Sequence, residues 1–440
     1  MRPETPSDQA RALRGERTAA HHGWGQAIVA VLAGTVVMTV VAALGLWAAG
    51  AADLPDGAFA RVVAATVVTA VGGTVEFAGG AGVVADTEAG LTVTPLSVTL
   101  AGTLVVAAGF LRPLRHRAVT GSRELAGWAA RIAVVWLVVL LALALPARHT
   151  FRISLGDDTV GDIGDLFGVT PEVGFAANVP QTLGFGMLWL LGVLVLALLV
   201  SPGAPLPARL LRFQESVRRA AFAMVALLLA YVALGAVVGL VVAATRGHAA
   251  DTFAAILLGL PNLVWLAFTI GLGATWHGRV DGPFGLPMPP LLEEVLRTPD
   301  VSTVDLGTLA AHDGRVWWLP VVDAVLLLAA AFLMAARSPA RMRSRQHAVH
   351  MAVALVLTVL MICLVGRVSA HLGLSVLGIG DLGGGLGGEL LLRPDVWSAL
   401  GWAALWGLVT GFVGGLSARR VHRRGQAGVA PGPSDSTPSA

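Results

Sequence analysis

The 440-residue chain is 55% hydrophobic and 13% charged, whereas soluble globular domains carry about 25% charged residues. Several apolar stretches approach 20 residues without a charge, which is enough for a helix to cross a hydrocarbon core of about 30 Å. The composition therefore excludes a soluble protein and predicts a polytopic protein whose main partner is the lipid bilayer. The net charge is only +3, and we expect no nucleic-acid partner.

Two residue types that support much enzyme chemistry are scarce. All 30 strongly basic residues are arginine, and the only cysteine is Cys363. Without lysine the chain can form neither a Walker A loop nor a lysine Schiff base. A lone cysteine excludes disulfides and cysteine-based zinc sites within one chain. We therefore predict a protein that is not an enzyme, with no cofactor and no catalytic, cofactor-binding or metal-binding residue.

A cytoplasmic tail at 1–23 is followed by a first unit at 24–208. This unit contains four apolar stretches that we predict to span the membrane, at 27–49, 91–111, 127–145 and 183–200. A fifth apolar segment, at 60–73, has about 14 residues and is too short for a straight crossing. A cleavable signal peptide is the alternative for the first span, but that apolar run exceeds the usual 7–15 residues.

The second unit occupies residues 209–425 and has the same organisation. Its four predicted spans lie at 220–244, 318–336, 349–365 and 396–416. An additional apolar segment at 253–273 has Pro261 and Asn262 near its middle, where we expect the helix to break or kink. The cytoplasmic tail at 426–440, rich in Pro, Ser, Gly and Ala, is predicted to be disordered.

The arginines decide between crossing and re-entry for the two additional segments. They cluster in five places, and cytoplasmic loops of membrane proteins carry an excess of arginine. Eight crossings place all five clusters inside, so that the inside holds 21 arginines and 6 acidic residues. A crossing by either additional segment would move some clusters outside. We therefore predict that 60–73 and 253–273 are re-entrant or interfacial helices, and that both termini are cytoplasmic.

Short motifs recur between the two units at nearly constant spacing. The turn residues Pro113, Arg115 and Arg117 recur 226 positions later, and the segment Leu183-Gly184-Phe185 recurs as Leu400-Gly401-Trp402, 217 positions later. The segment 163–166 recurs as 379–382. Such self-similarity is the signature of an internal duplication. The fold predicted is an all-α transmembrane bundle of eight spans, arranged as two tandem parallel repeats.

Four residues are candidates for a pore or binding site. Pro261 and Asn262 could break a helix at membrane depth and present its second half to a ligand, with Asn262 as its cap; the alternative is a proline kink packed between neighbouring helices. Asp323 lies within a predicted span, and intramembrane acids are candidate functional groups; alternatively, it snorkels to the nearby surface. Glu76 follows the first additional segment and is a candidate if it enters the membrane.

A glycine-rich acidic segment at 156–165 could bind a hard cation, because spaced carboxylates suit calcium. The glutamate of an EF-hand is replaced by Gly168. The alternative is a solvated outer loop whose acids help to set the orientation of the protein.

Three segments resemble patterns in one family. They are Thr94-Pro95-Leu96-Ser97-Val98, the seven residues from Leu260 to Leu266, and the eight residues from Asp313 to Pro320. Over about residues 20–420 the chain resembles the streptophobe family of actinobacterial membrane proteins. The resemblance implies a plasma-membrane location and brings no activity, substrate or site residue.

The sequence therefore predicts a non-enzymatic plasma-membrane protein with a permease- or channel-like core at the interface of the repeats. The alternative is a structural or interaction protein whose acidic outer loops bind envelope partners or cations. That alternative predicts outer loops that are ordered and packed together. The sequence specifies neither a substrate nor an oligomeric state.

Overall fold

A computed structural model describes residues 6–54, 57–80, 85–114, 122–152, 172–201, 208–281, 290–296, 302–338, 343–376 and 388–418. This part of the chain is mostly helical. Its α-helices are α1 (Pro6–Ala48), α2 (Phe59–Ala70), α3 (Leu96–Leu114), α4 (Ser122–Ala144), α5 (Val179–Val200), α6 (Ala208–Thr245), α7 (Ala249–Gly271), α8 (Pro290–Leu296), α9 (Leu306–His312), α10 (Trp318–Ala336), α11 (Ser344–Val365) and α12 (Val396–Ser417).

Within these ranges, nine helices are long and apolar enough to cross a membrane. They include one helix in each of the eight predicted spans, and the ninth is α7. The helix α2, at 12 residues, is apolar but short. The chain is therefore an integral, multi-pass membrane protein, as its composition predicts.

Segments between the helices form a β-sheet, which is not expected from the sequence. The strands are β1 (Val75–Gly80), β2 (Ala85–Thr92), β3 (Arg148–Arg152), β4 (Glu172–Ala177), β5 (Trp276–Asp281), β6 (Ser302–Val304), β7 (Val368–Val376) and β8 (Gly388–Pro394). They pair in the order β3-β4-β1-β2-β7-β8-β5-β6, and every pair is antiparallel. Several strands are short and contain glycine, which weakens the alternating pattern that identifies a strand. The shared sheet brings the segments between α2 and α3, α4 and α5, α7 and α10, and α11 and α12 to one end of the molecule.

Helices α11 and α12 pack through glycines. A Cβ atom at Gly411 would lie 2.7 Å from Met351 Cβ and 2.8 Å from Ala348 Cα, and one at Gly407 would overlap Ala352. Apolar side chains gain little by leaving lipid for protein, so membrane helices associate where small residues allow close contact. The glycines of α12 therefore set how closely the two helices approach.

Helix α7 lies between the two halves of the chain. On one side, a Cβ atom at Gly45 of α1 would lie 2.7 Å from Leu258 Cγ. On the other side, a Cβ atom at Gly239 of α6 would lie 2.9 Å from Ile256 Cδ1. Helices α3 and α10 also contact α7. It is thus packed against helices of both halves.

Of the two alternatives expected at Pro261, a break in the helix is wrong, and a proline packed between neighbouring helices fits the structure. Helix α7 runs without interruption from Ala249 to Gly271, and Pro261 is buried inside it. Proline removes one backbone donor, and buried helices tolerate this loss where neighbouring groups supply other partners. Helix α3 bonds to α7 immediately before and after this proline, as described below.

Candidate functional site

The four residues singled out from the sequence lie in three places. Pro261 and Asn262 lie near the middle of α7, Asp323 lies on the second turn of α10, and Glu76 lies in β1. Asn262 contacts the start of α3, whereas Asp323 lies against Gly271 at the end of α7. The structure therefore does not bring the four together in one site.

Asn262 caps a helix of the other half. Its Oδ1 accepts a hydrogen bond from the backbone N–H of Leu96 at 3.1 Å, and its Nδ2 donates to the carbonyl oxygen of Thr94 at 3.0 Å. Leu96 begins α3, where backbone N–H groups have no partner within their own helix. The expectation that Asn262 caps a second half of its own helix is wrong, because α7 has no such second start.

Ser97 of α3 forms two further hydrogen bonds with α7, and together with those of Asn262 they make up the junction between the two helices. Its hydroxyl donates to the carbonyl oxygen of Ile256 at 2.8 Å and accepts from the backbone N–H of Leu260 at 3.2 Å. Ile256 and Leu260 are four residues apart, so they are the pair that bonds directly in a regular helix. The side chain of Ser97 thus bridges one step of the α7 ladder immediately before Pro261. This junction accounts for Asn262 as a residue that joins helices.

Glu76 is exposed and lies in the sheet. Its Oε1 accepts a hydrogen bond from Asn178 Nδ2 at 3.0 Å. Asn178 is the N-cap of α5 and accepts from the backbone N–H of Gln181 at 3.1 Å. A carboxylate near a helix N-terminus is stabilised by the helix dipole. Glu76 therefore supports the start of α5 from outside the helix bundle.

Asp323 is the buried acid of the described chain. Its exposed fraction is 0% although it lies within a predicted span, so the interpretation that it snorkels to the surface is wrong. Its Oδ1 accepts a hydrogen bond from the hydroxyl of Tyr231 on α6. Its Oδ2 has no hydrogen-bond partner within the described part of the chain.

The walls of this site are apolar and close. The ring of Tyr231 packs on Phe268 with 4.8 Å between ring centroids. Gly271, the last residue of α7, faces Asp323 so closely that a Cβ atom at this position would overlap Oδ2. Glycine at this position leaves room for the carboxyl group between α10 and α7.

The two side chains of this pair can form hydrogen bonds and exchange a proton. The described residues contain no group of three or more His, Cys, Asp or Glu that could hold a metal ion. One carboxyl group and one phenol can donate, accept or exchange a proton. An ionisable group in the interior of a membrane protein is a functional candidate by default. We therefore take Asp323 and Tyr231 as the candidate functional site.

Sequence reasoning identified Asp323 but missed Tyr231, Ser97 and Gly271. One signal for Tyr231 was present, because it is the only tyrosine in the chain and lies in the middle of a predicted span. Ser97 and Gly271 carry no comparable signal. Their roles depend on which helix lies against them.

No protein-family model, curated protein or solved structure matches the chain. Its function is therefore inferred from the arrangement of its own residues. The clearest of these arrangements is a fully buried carboxyl group that is paired with a single tyrosine.

Proposed function

We propose that this protein is a non-enzymatic plasma-membrane protein with a permease-like core, and that Asp323 is the functional group of that core. The observation that carries the proposal is the complete burial of Asp323 in a membrane-spanning helix, with Tyr231 as its hydrogen-bond donor. Placing a charged or strongly polar group there is expensive, so it is retained where it serves a function. Membership of the streptophobe family, suggested by three short motifs, is part of this proposal.

The proposal includes eight crossings, with α2 and α7 entering and leaving on the sheet side. The connectivity of the sheet supports it. Strands β4 and β5 belong to one sheet, yet three long helices, α5, α6 and α7, lie between them along the chain. An odd number of crossings would put the two strands on opposite sides of the membrane. If α5 and α6 cross, the end of α6 lies on the sheet side. Helix α7 then starts on the sheet side and leads to β5 on the same side, so α7 is the helix that does not cross.

The proposal also treats the halves as tandem repeats in the same orientation, and the ends of α2 and α7 support this. Gly72 and Gly273, which follow these helices, both have a positive φ, 90° and 103°. The next residue in each case bonds back five positions, to the carbonyl oxygens of Val68 and Thr269 at 3.0 Å. In an α-helical end, such a left-handed glycine closes the last turn. The same ending is thus built twice, 201 residues apart.

The capping of α5 and α12 supports the duplication as well. Asn178 and Asp395, 217 positions apart, are the N-caps of these helices. The backbone N–H of Asn178 donates to Thr74 O at 3.0 Å, and that of Asp395 donates to Thr275 O at 2.9 Å. The strand order of the first half, β3-β4-β1-β2, is also repeated in the second as β7-β8-β5-β6.

The two units differ at the proposed site. In the first unit, the end of α2 accepts a hydrogen bond from a hydroxyl group: Thr99 of α3 donates to the carbonyl oxygen of Ala70 at 2.6 Å. Gly271 is the corresponding residue of α7, and the carboxyl group of Asp323 lies against it. The acid thus belongs to the second unit. We therefore place the core among α6, α7 and α10, and treat the hydrogen-bonded contact of α3 with α7 as the joint between units.

Transport measurements on reconstituted protein test this proposal. Purified wild-type protein and the Asp323→Asn variant are placed in liposomes with an internal pH dye, and gradients of sugars, amino acids, organic acids and inorganic ions are imposed in turn. We expect at least one gradient to drive flux through the wild type and at most a tenth of that flux through Asp323→Asn. The matched control is Asp53→Asn, at an exposed carboxyl group. Equal flux through wild type and Asp323→Asn would exclude the assigned role.

A second candidate function is that of a structural or interaction protein. The observation that favours it is the eight-stranded sheet, which packs the outer segments of both halves into one ordered surface. Envelope polymers added to protein in nanodiscs distinguish the two functions. Saturable binding that survives Asp323→Asn, together with no flux for any gradient, would favour the interaction protein over the permease.

A further inference from the structure

We propose that Asp323 is a proton-binding site, with the proton carried on Oδ2 and the hydroxyl of Tyr231 bonded to Oδ1. This inference deepens the permease-like function and rests on it for a role in transport. The proton itself can be detected without any transported solute.

The first argument is the imbalance between the two oxygens of the carboxyl group. Oδ1 has a donor in Tyr231, whereas Oδ2 is buried without a hydrogen-bond partner in the described part of the chain. A buried carboxylate without compensating charge or donors is strongly disfavoured, and the usual outcome is that the group is neutral. A proton on Oδ2 converts the charged acceptor into a neutral acid.

The second argument is the position of the carboxyl group at the end of α7. Gly271 is the last residue of this helix, and Oδ2 lies against it. The C-terminal end of an α-helix carries a partial negative charge. A carboxylate anion at this position is repelled by that end, whereas a neutral acid is not. Both the apolar walls and the helix end therefore favour the protonated form.

The third argument is the set of ionisable groups on the packed elements. Tyr231 of α6 is the one that contacts Asp323, and α10 and α12 contribute no other titratable side chain. The arginines of α6 at 218 and 219 are about 18 Å or more from Tyr231 along the helix. The remaining titratable groups on α7, on α11 and on the 3-10 helix Gly314–Trp317, which immediately precedes α10, are Asp251, Arg345, His347, His350, Cys363 and Arg315.

A metal cation fits this site less well than a proton. Calcium takes six to eight oxygen ligands and zinc takes four ligands. The observed polar groups are one carboxyl group and one phenol, and no metal-binding group of three or more His, Cys, Asp or Glu exists in the described ranges. A proton needs a single oxygen. The ligand class assigned to Asp323 is therefore the proton.

The proposed step is the reversible ionisation of one acid. The O–H bond on Oδ2 breaks, the proton leaves to water or a proton-accepting solute, and the electron pair stays on the carboxylate. Tyr231 keeps its proton and donates to Oδ1 in both states. Loss of the proton places a full negative charge against the end of α7, and this helix is bonded to α3 through Asn262 and Ser97.

Two measurements on full-length protein in nanodiscs test the proton site. Dicyclohexylcarbodiimide is an apolar reagent that modifies protonated carboxyl groups, and peptide mass spectrometry locates the adduct. Infrared difference spectra of wild type minus Asp323→Asn report directly on the protonated carbonyl band of Asp323. We expect this band at neutral pH, its replacement by a carboxylate band at high pH, and at least tenfold more adduct at Asp323 than at exposed Asp53.

The Asp323→Asn variant mimics the neutral acid, so we expect it to fold with an unchanged melting temperature. A carboxylate band of Asp323 at neutral pH, with no adduct at this residue, would overturn the proton site. Loss of the adduct on addition of sodium at constant pH would overturn it in favour of a metal cation. A protonated band without flux for any gradient would retain the proton site and reject the permease. A carboxylate band together with flux that depends on Asp323 would reject the proton site and retain the permease.

Discussion

Asn262 Oδ1 accepts a hydrogen bond from the first backbone N–H of α3, that of Leu96, although 166 residues separate the two along the chain. With the second bond of the same side chain, to Thr94, the second half of the protein supplies the cap for a helix of the first half. A residue expected to mark a break in its own helix therefore serves as a joint between helices.

Replacing Asn262 by alanine should destabilise the protein by about 1–3 kcal/mol, because it leaves a partly buried donor and acceptor without partners. Asn262→Asp keeps the acceptor for Leu96 and loses the donor to Thr94, so its effect should be distinguishable from that of alanine. Unfolding in SDS titrations, followed by tryptophan fluorescence, measures the loss. An unchanged unfolding midpoint for Asn262→Ala would show that the joint contributes nothing to stability.

Single cysteines on a Cys363→Ala background should report the path of α7. Arg246, between α6 and α7, and His277, after α7, are both exposed. If α7 re-enters on the sheet side, a membrane-impermeant maleimide added to intact cells labels cysteines at both positions. A cysteine at exposed Arg343 should be labelled only after the cells are permeabilised. Labelling of 246 and 277 from opposite sides of the membrane would mean that α7 crosses.

Replacing Gly271 by alanine should destabilise the protein by about 1–3 kcal/mol, since its Cβ atom would overlap Asp323 Oδ2 and overpacking carries a cost of that size. In an Asp323→Ala background this penalty should shrink, which gives a coupling energy of about 0.5–3 kcal/mol in a double-mutant cycle. Gly259 is the matched control on the same helix, because a Cβ atom there meets nothing within 4 Å. Additive effects of the two changes would contradict the contact.

Packing of α11 against α12 should depend on Gly407 and not on Gly401. Alanine at 407 would overlap the backbone of Ala352, whereas a Cβ atom at Gly401 meets nothing within 4 Å. Because neither helix can retreat without losing its other contacts, we expect a loss of about 1–3 kcal/mol for Gly407→Ala. For Gly401→Ala we expect no loss, or a gain of up to about 1 kcal/mol from its better helix propensity. Thermal unfolding of both variants in the same detergent provides the comparison.

Local composition is sufficient to predict the helices, because a bilayer core requires long apolar segments whose backbone bonds are satisfied internally. One helix of the structure lies in each of the eight predicted spans. The sheet was not predicted, because its strands are defined by partners in other loops. Strand β2, for example, pairs with β7 from Ala85↔Val376 to Thr92↔Ser369, and nothing near either strand in sequence specifies that register.

The candidate site likewise combines features that local sequence predicts with features that depend on partners elsewhere in the chain. The sequence by itself determined that the chain is a multi-pass membrane protein and that Asp323 is an acid within a span, since both follow from the order of apolar and charged residues. Only the tertiary structure decided that this acid is buried, that the single tyrosine is its donor and that Gly271 makes room for it. Those three facts depend on contacts among α6, α7 and α10, and such contacts are set by packing between helices and not by the pattern within any one of them.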